Sequence, residues 1–327
     1  MGLWSVIVAE ATTNLVTNPS FELGTTGWTA GAGTLARSTD DPVSGLYNGK
    51  YTPSAAVNDG VYVQACSATA GVTYTFSFYF KGESGVTYRA ALTNAGFTNV
   101  STYTEFTGDG EWHRYAVTYT APATETLLAY ITKNDDADTE PFYLDAAQCE
   151  AKAYATTYCD GSIDAPVGFD SSGCVWNGLA HGSTSTRSAT SRAGGRERDL
   201  TDVYGLHVTQ NPGVGASPVE NFRTAYALIN GSQREHSRVA ERVFTIVGVL
   251  KGSSLTDFHA KRDALVQALM PNEDDEPVLL RYTGTGVTEE ISADYEGGLE
   301  GGNLNGHSEQ VAVRFAAAQP NFRQVIV

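Results

Sequence analysis

The stretch TYTFSFYF, residues 73–80, alternates with a period of two over its whole length. Tyr74, Phe76, Phe78 and Phe80 fall on one side of it, and Thr73, Thr75, Ser77 and Tyr79 on the other. Successive side chains of a strand point to opposite faces, so this spacing sends the first set into a core. The second set, polar with one aromatic, has the composition of a solvated sheet face.

Similar runs recur between turn clusters: VYVQACSA, TYRAALT, WHRYAVTYTAP, TLLAYITKN and PFYLDAAQCEA. Their spacing suits antiparallel strands and predicts one β-sandwich over residues 14–153. Seventeen Tyr, thirteen Phe and 34 Gly favour β structure throughout, because branched and aromatic side chains suit a pleated surface and Gly supplies turns. At 327 residues the chain exceeds a comfortable single core, which predicts two domains and a mostly-β class.

Residues 154–199 read as a joint. YATTYCDGSIDAPVGFDSSGCVWNG carries turn signals, and GSTSTRSATSRAGGRERD has no apolar periodicity, so the segment reads as a linker or an arm that orders against a partner. Residues 200–327 change character. FRTAYALING and RVFTIVGVLKG read as strands, the second apolar on both faces and therefore central. SSLTDFHAKRDALVQALMP reads as a helix, capped by Ser254 with Asp257 in its first turn, striped by Leu255, Phe258, Leu265 and Leu269, interrupted by Arg262 and stopped by Pro271. VLLRYTG, EEISADYEG and EQVAVRFAAAQP complete a β-sandwich-like domain with one α-helix, and the acidic run Glu273–Glu276 reads as a solvated loop. Residues 1–13 stand as a separate N-terminal segment.

A net charge of −16 argues against nucleic acid as a partner. No run of about 18 apolar residues is present, so no membrane-spanning helix is expected, and MGLWSVIVAEATTN lacks the basic opening of an export signal. Cys66, Cys149, Cys159 and Cys174 show no CxxC spacing, which disfavours zinc. They are expected to be reduced and structural, with Cys159 and Cys174 the best-placed pair for a bridge.

No catalytic spacing stands out. The six His are scattered, and neither HExxH nor GxSxG occurs. Adjacent acids such as Asp135 with Asp136 or Glu289 with Glu290 do not form the convergent pair that glycoside hydrolysis needs. The Gly-rich stretches at 284–286 and 297–306 read as turns, and the sequons NVS at 99–101 and NGS at 230–232 carry little without an export signal. The expectation is a protein without enzymatic activity.

The phrase TNLVTNPSFELGTTGW, with YLDAAQCE as a late strand, resembles the jelly-roll carbohydrate-binding modules related to galactose-binding-like domains. That resemblance implies a structural calcium held by an early Glu and a late Asp together with backbone carbonyls; the matching positions are Glu22 and Asp145. It also implies sugar contact through exposed aromatic rings, for which Tyr79, Tyr88, Tyr103 and Trp112 are the candidates, with Tyr62 a weaker one.

Residues 199–323 resemble the phage distal tail protein family, on the phrases DLTDVYGLHV, RVFTIVGVLKGSSLTDFHAKRDALVQALMP, VLLRYTG and VAVRFAAAQPNF. The resemblance implies a virion protein assembled in the host cytoplasm. It would form a ring with copies of itself, expected to be a hexamer, contact other tail proteins and display the front sandwich toward host-cell glycan. The layout departs from that family in placing a glycan-type module ahead of the tail domain. A free lectin, a decoration protein whose sandwich binds protein neighbours, and a glycan-processing enzyme with an accessory module are the rival readings.

Overall fold

The computed structural model describes residues 3–98, 100–134, 139–163, 173–191, 194–215, 217–224, 232–270, 277–284, 287–299 and 306–325. The chain divides into two compact units, one formed chiefly by Met1–Val8 with Glu197–Val325, the other by Ala9–Ala165 with Ser171–Arg196. Both are β-rich, and one α-helix occurs among the described residues. The expected mostly-β class holds.

The second unit is a sandwich of two five-stranded sheets. One sheet runs His113–Thr120, Thr73–Lys81, Phe142–Glu150, Asn48–Thr52, Thr34–Ser38; the other runs Trp28–Ala30, Gly60–Ala68, Glu125–Lys133, Thr87–Asn94, Thr104–Thr107. The row Tyr74, Phe76, Phe78 and Phe80 is buried between them as its spacing predicts. Phe80 sits at the centre, its ring 4.6 Å from Tyr88, 4.9 Å from Phe106 and 5.3 Å from Phe142.

The turn-rich opening phrase is built around Asn18. Its side-chain amide donates to the Gly24 and Thr26 carbonyls, its Oδ1 accepts from the Leu23 amide, and its own carbonyl receives the Trp28 indole N–H. The turn thereby buries Phe21 against Trp28, ring centroids 4.7 Å apart. Gly49 is required beneath them, because a Cβ there would lie 2.3 Å from the Phe21 ring.

The other face of Thr73–Lys81 corrects the solvated-sheet expectation. Thr75, Ser77 and Tyr79 are buried, since the Thr75 hydroxyl donates to the Lys152 carbonyl and the strand's outer surface is roofed by the segments around 40–47 and 152–160. Alternation assigns each side chain to a face; it does not say which faces a distant segment will cover.

The segment 154–199 is likewise no free arm over its described residues. Cys174–Trp176 and Ser185–Arg187 form a three-stranded sheet with Thr12–Asn14, and Cys159 is bonded to Cys174. The expectation of four reduced cysteines is therefore corrected, while Cys66 and Cys149 are buried free thiols. Polar contacts replace the missing apolar periodicity. Buried Arg187 donates to the Glu10 and Thr157 carbonyls and to the Thr156 hydroxyl, and Glu150 accepts from Thr12 and Thr156. A fully hydrogen-bonded buried network of this kind orders a segment that hydrophobic burial could not.

In the first unit, Leu3–Ala9 is an interior strand, hydrogen-bonded between Gly195–Asp199 and Val278–Thr283 in an eight-stranded sheet. The segment expected to stand apart thus belongs to the C-terminal unit, and the sandwich is an insertion between two parts of that unit rather than a module preceding it. Trp4 is buried there against Tyr282 at 5.1 Å and Phe244 at 6.1 Å. Arg242–Lys251 pairs on both sides as expected of a non-edge strand, although its second face is only half-buried.

The helix spans Leu255–Leu269, and the Ser254 side chain accepts from the Asp257 amide as the capping pattern predicts. Phe258, Leu265 and Leu269 are buried; Leu255 is exposed at the first turn, and Arg262 reaches from the stripe to the Leu299 carbonyl and Glu309. No helix among the described residues is long and apolar enough to cross a membrane. Pro271, the run Glu273–Glu276, Asp135 with Asp136, the sequon asparagines Asn99 and Asn230, and most of FRTAYALING and of the Gly-rich stretches lie outside the described residues.

Candidate functional site

The sheet containing Gly60–Ala68 and Glu125–Lys133 presents an outer face that is not roofed in the same way. In TLLAYITK, Leu127, Ala129 and Ile131 are buried, so Tyr130 takes the opposite parity and points outward. The register sets Tyr130 opposite Tyr62 on one neighbour and opposite Ala91 on the other. Arg89, two residues along from Ala91, lies opposite Glu105.

Phe97 rises from the loop after Thr87–Asn94 and stands edge-on to both tyrosines, 6.1 Å from the Tyr62 ring and 6.1 Å from the Tyr130 ring. It holds a left-handed conformation with φ of 55°, which strains a residue with a Cβ. Asn94 holds that turn: its carbonyl accepts from the Phe97 amide, its Oδ1 accepts from the Thr98 amide, and its side-chain amide donates to the Thr98 hydroxyl. Phe97 is half-exposed, as is Tyr103, which stacks under the Arg89 guanidinium at 4.5 Å. The buried Arg89 Nε has no hydrogen-bond partner among the described residues.

Tyr130 is further held by a 2.8 Å hydrogen bond from its hydroxyl to the Asn58 carbonyl, and burial raises its pKa. The neighbouring Asp59 is the anchor of that rim. Its carboxylate accepts from the Tyr51 hydroxyl and from the amides of Ala32 at 2.8 Å and Ser54 at 2.5 Å. Burial alone would raise the Asp59 pKa, but the hydrogen bonds from Tyr51, Ser54 and Ala32 outweigh it and hold it down at about 2.

An unfolded Asp titrates near about 3.9, so the folded state binds this proton less tightly than the unfolded chain does. The stabilisation is therefore complete above about pH 4 and is lost as pH falls toward about 2, an amount on the order of 2 kcal/mol. Asp59→Asn should lower the thermal midpoint at neutral pH and flatten its acid-side fall, measured by circular dichroism. An unchanged acid limb in the variant would remove Asp59 from this role.

The four aromatic candidates separate. Tyr103 belongs to the open face. Tyr88 is fully buried in the sandwich core against Phe80, and Tyr79 and Trp112 are buried in a small cluster with Ala146 on the roofed face, where the Trp112 indole donates to the Asp41 carbonyl. The expectation that these three are exposed is corrected: Tyr88 faces inward between the two sheets, and Tyr79 and Trp112 lie under the segments packed over the outer face. Tyr62 gains standing from its place opposite Tyr130. Phe97, Tyr130 and Arg89 were not singled out from sequence, although the odd parity of Tyr130 was readable there.

Glu22 and Asp145 both hold the loop 43–47. Asp145 accepts from the amides of Val43 at 2.7 Å, Ser44 at 2.9 Å and Ala146 at 2.7 Å; Glu22 accepts from Leu46 at 2.6 Å and Tyr47 at 3.1 Å. Burial is the main cause that pushes Asp145 up to about 8, and the charge of Glu22 adds to it despite those three amides. A Cβ on Gly45 would lie 2.2 Å from a Glu22 oxygen, so the loop passes directly over that carboxylate. Two carboxylates directed at one loop, the Asp145 pKa raised chiefly by burial, could supply the acidic part of a calcium shell. Among the described residues no three His, Cys, Asp or Glu side chains cluster around a common point, so carbonyl oxygens would have to complete the shell.

No curated protein matches the chain. Among solved structures, it is similar to the CBM22-2 xylan-binding domain from Paenibacillus barcinonensis Xyn10C at 21% identity and a TM-score of 0.35, covering 41% of this chain and 98% of that one. It is similar to the C-terminal family 22 carbohydrate binding module of Clostridium thermocellum Xyn10B at 22% identity and a TM-score of 0.36, covering 42% and 93%. The Dit protein of phage SPP1 is 18% identical with a TM-score of 0.32, covering 38% of this chain and 47% of that one. Residues 13–138 match the family model described as a carbohydrate binding domain, and the open aromatic face lies within those residues.

Proposed function

We propose that the chain is a non-enzymatic adhesive protein of a phage tail tip, in which the inserted sandwich binds glycan through its open face and the C-terminal unit builds a ring. The observation that carries the glycan half is the group Tyr62, Phe97, Tyr130 and Tyr103 on one sheet face, with Arg89 and Glu105 beside it. Ring faces pack on the apolar faces of a pyranose, while a guanidinium donor and a carboxylate acceptor meet its hydroxyls. The ring half rests on the resemblance of the C-terminal phrases to distal tail proteins. Copies in a closed ring would display many weak sites together, and multivalency would hold a cell without high affinity at any one of them.

Glycan arrays probed with the intact protein test the first half. Binding should be lost in Tyr130→Ala by about thirtyfold or more, the effect of removing a central aromatic contact worth about 2 kcal/mol, measured at a temperature where circular dichroism shows the variant still folded. An array on which the wild-type protein binds nothing, or a Tyr130→Ala variant that binds as well as wild type, would overturn it.

We further propose that Glu22 and Asp145, with loop carbonyls, hold a structural calcium. A bound cation would supply positive charge to two carboxylates that otherwise repel. Millimolar calcium should raise the melting midpoint of the sandwich and a chelator should lower it, while Asp145→Asn should no longer respond. A wild-type midpoint indifferent to calcium would end the proposal.

A further inference from the structure

The five strands of the open-faced sheet carry two cationic residues, Arg89 and Lys133, and the fold treats them differently. Lys133 is fully buried, and its ammonium donates to the Ser54 carbonyl at 2.6 Å. Arg89 shares the parity of Ala91, which lies opposite Tyr130, so its side chain leaves the sheet on the open face. There its guanidinium lies over the Tyr103 ring, 4.5 Å from the centroid.

Stacking engages the flat face of a guanidinium and leaves its in-plane fork of N–H donors free. Arg37, Arg114 and Arg187 each direct such donors at a carbonyl or hydroxyl of their own unit. Arg89 does not. Its Nε is buried without a hydrogen-bond partner, and no carboxylate pairs with its guanidinium among the described residues. Glu105 lies directly opposite it in the strand register, yet accepts instead from the Asn134 side-chain amide at 3.3 Å.

A partly desolvated cation without a partner is unfavourable, and a ligand that brings the missing acceptor recovers that loss on binding. A sugar hydroxyl would do so weakly. An oxyanion takes two parallel N–H bonds from one guanidinium, and such charge-assisted bonds are about twice as strong as neutral ones. The net charge of −16 works against any long-range attraction of an acidic polymer, so selection of one has to come from this direct contact.

We infer that the open face selects acidic glycan, with Arg89 as the specificity residue that receives a carboxylate or phosphate oxyanion while a neighbouring ring packs on the aromatic group. The inference rests on the glycan-binding reading above and names the kind of sugar. Tyr103 positions Arg89 by holding the plane of its guanidinium, which aims the fork along the sheet face.

The test uses the full chain on an array that sets uronate-bearing and phosphate-bearing oligosaccharides each beside its neutral parent, carboxyl-reduced or dephosphorylated. The wild-type protein should prefer the acidic member of at least one such pair by about tenfold or more. The pair that shows the preference tells carboxylate from phosphate. In Arg89→Gln the ratio of acidic to neutral binding should fall close to one, and Arg89→Lys, which keeps the charge without the fork, should lie between. Nitrogen-15 NMR needs no variant: the Arg89 Nε–H resonance should shift on titration with the preferred acidic oligosaccharide and stay in place with its neutral parent.

An array on which nothing binds sinks the glycan reading and this inference together. Neutral parents bound as tightly as their acidic partners, a preference that survives in folded Arg89→Gln, or an Arg89 resonance indifferent to the acidic group sinks the inference alone and leaves the glycan reading standing.

Discussion

Removing residues 1–9 should unfold the C-terminal unit, even though every residue from 197 onward is kept. Leu3–Ala9 runs inside that unit's eight-stranded sheet, so its loss deprives Gly195–Asp199 on one side and Val278–Thr283 on the other of their backbone partner. It also removes Trp4, Val6 and Ile7, all buried. Truncating a single buried Trp to Ala costs about 3–5 kcal/mol, against a total of about 5–15 kcal/mol for a typical domain; losing the whole strand exceeds what the unit can bear.

Calorimetry of the truncated chain should retain the transition of the sandwich and lose that of the C-terminal unit. Trp4→Ala, the graded version, should lower the second transition alone. If the truncated chain kept both transitions, the pairing of Leu3–Ala9 with Val278–Thr283 would not be contributing as the fold implies.

Phe80→Ala should cost the sandwich about 3–5 kcal/mol, because the ring it removes is fully buried and its neighbours cannot close the cavity. Tyr88, Phe106 and Phe142, which all pack on Phe80, come from three different strands in both sheets, so the hole would open at the junction of the two layers. The C-terminal unit has a separate core built around Trp4, Phe244, Phe258 and Phe315, and its transition should not move. Chemical denaturation followed by tryptophan fluorescence and by circular dichroism would read the two units apart. A variant whose sandwich melts within about 1 kcal/mol of wild type would contradict the packing described for Phe80.

Much of the architecture was legible before any coordinates. The aromatic row of residues 73–80, the strands around it and the capped helix follow from periodicities that need only a few neighbouring residues, and the two β-rich halves follow from the change in character along the chain. The candidate site was legible only in part. Tyr103 was reachable, and the parity of Tyr130 within TLLAYITK was there to be read, but Phe97 owes its position to a strained turn tied by Asn94. Tyr79 shows the limit from the other side, since a tyrosine on the polar side of a strand looks the same whether water or a returning segment lies over it.

By itself the sequence determined the strand and helix periods, and hence which side chains share a face, because those depend on backbone geometry over a handful of residues. Tertiary structure alone decided which faces are roofed, that Leu3–Ala9 pairs with a strand some 270 positions away, and that Arg187 and Arg242 pin segments with no apolar pattern. Those outcomes depend on hydrogen-bond partners and coverings supplied by remote parts of the chain, and no local pattern carries that information.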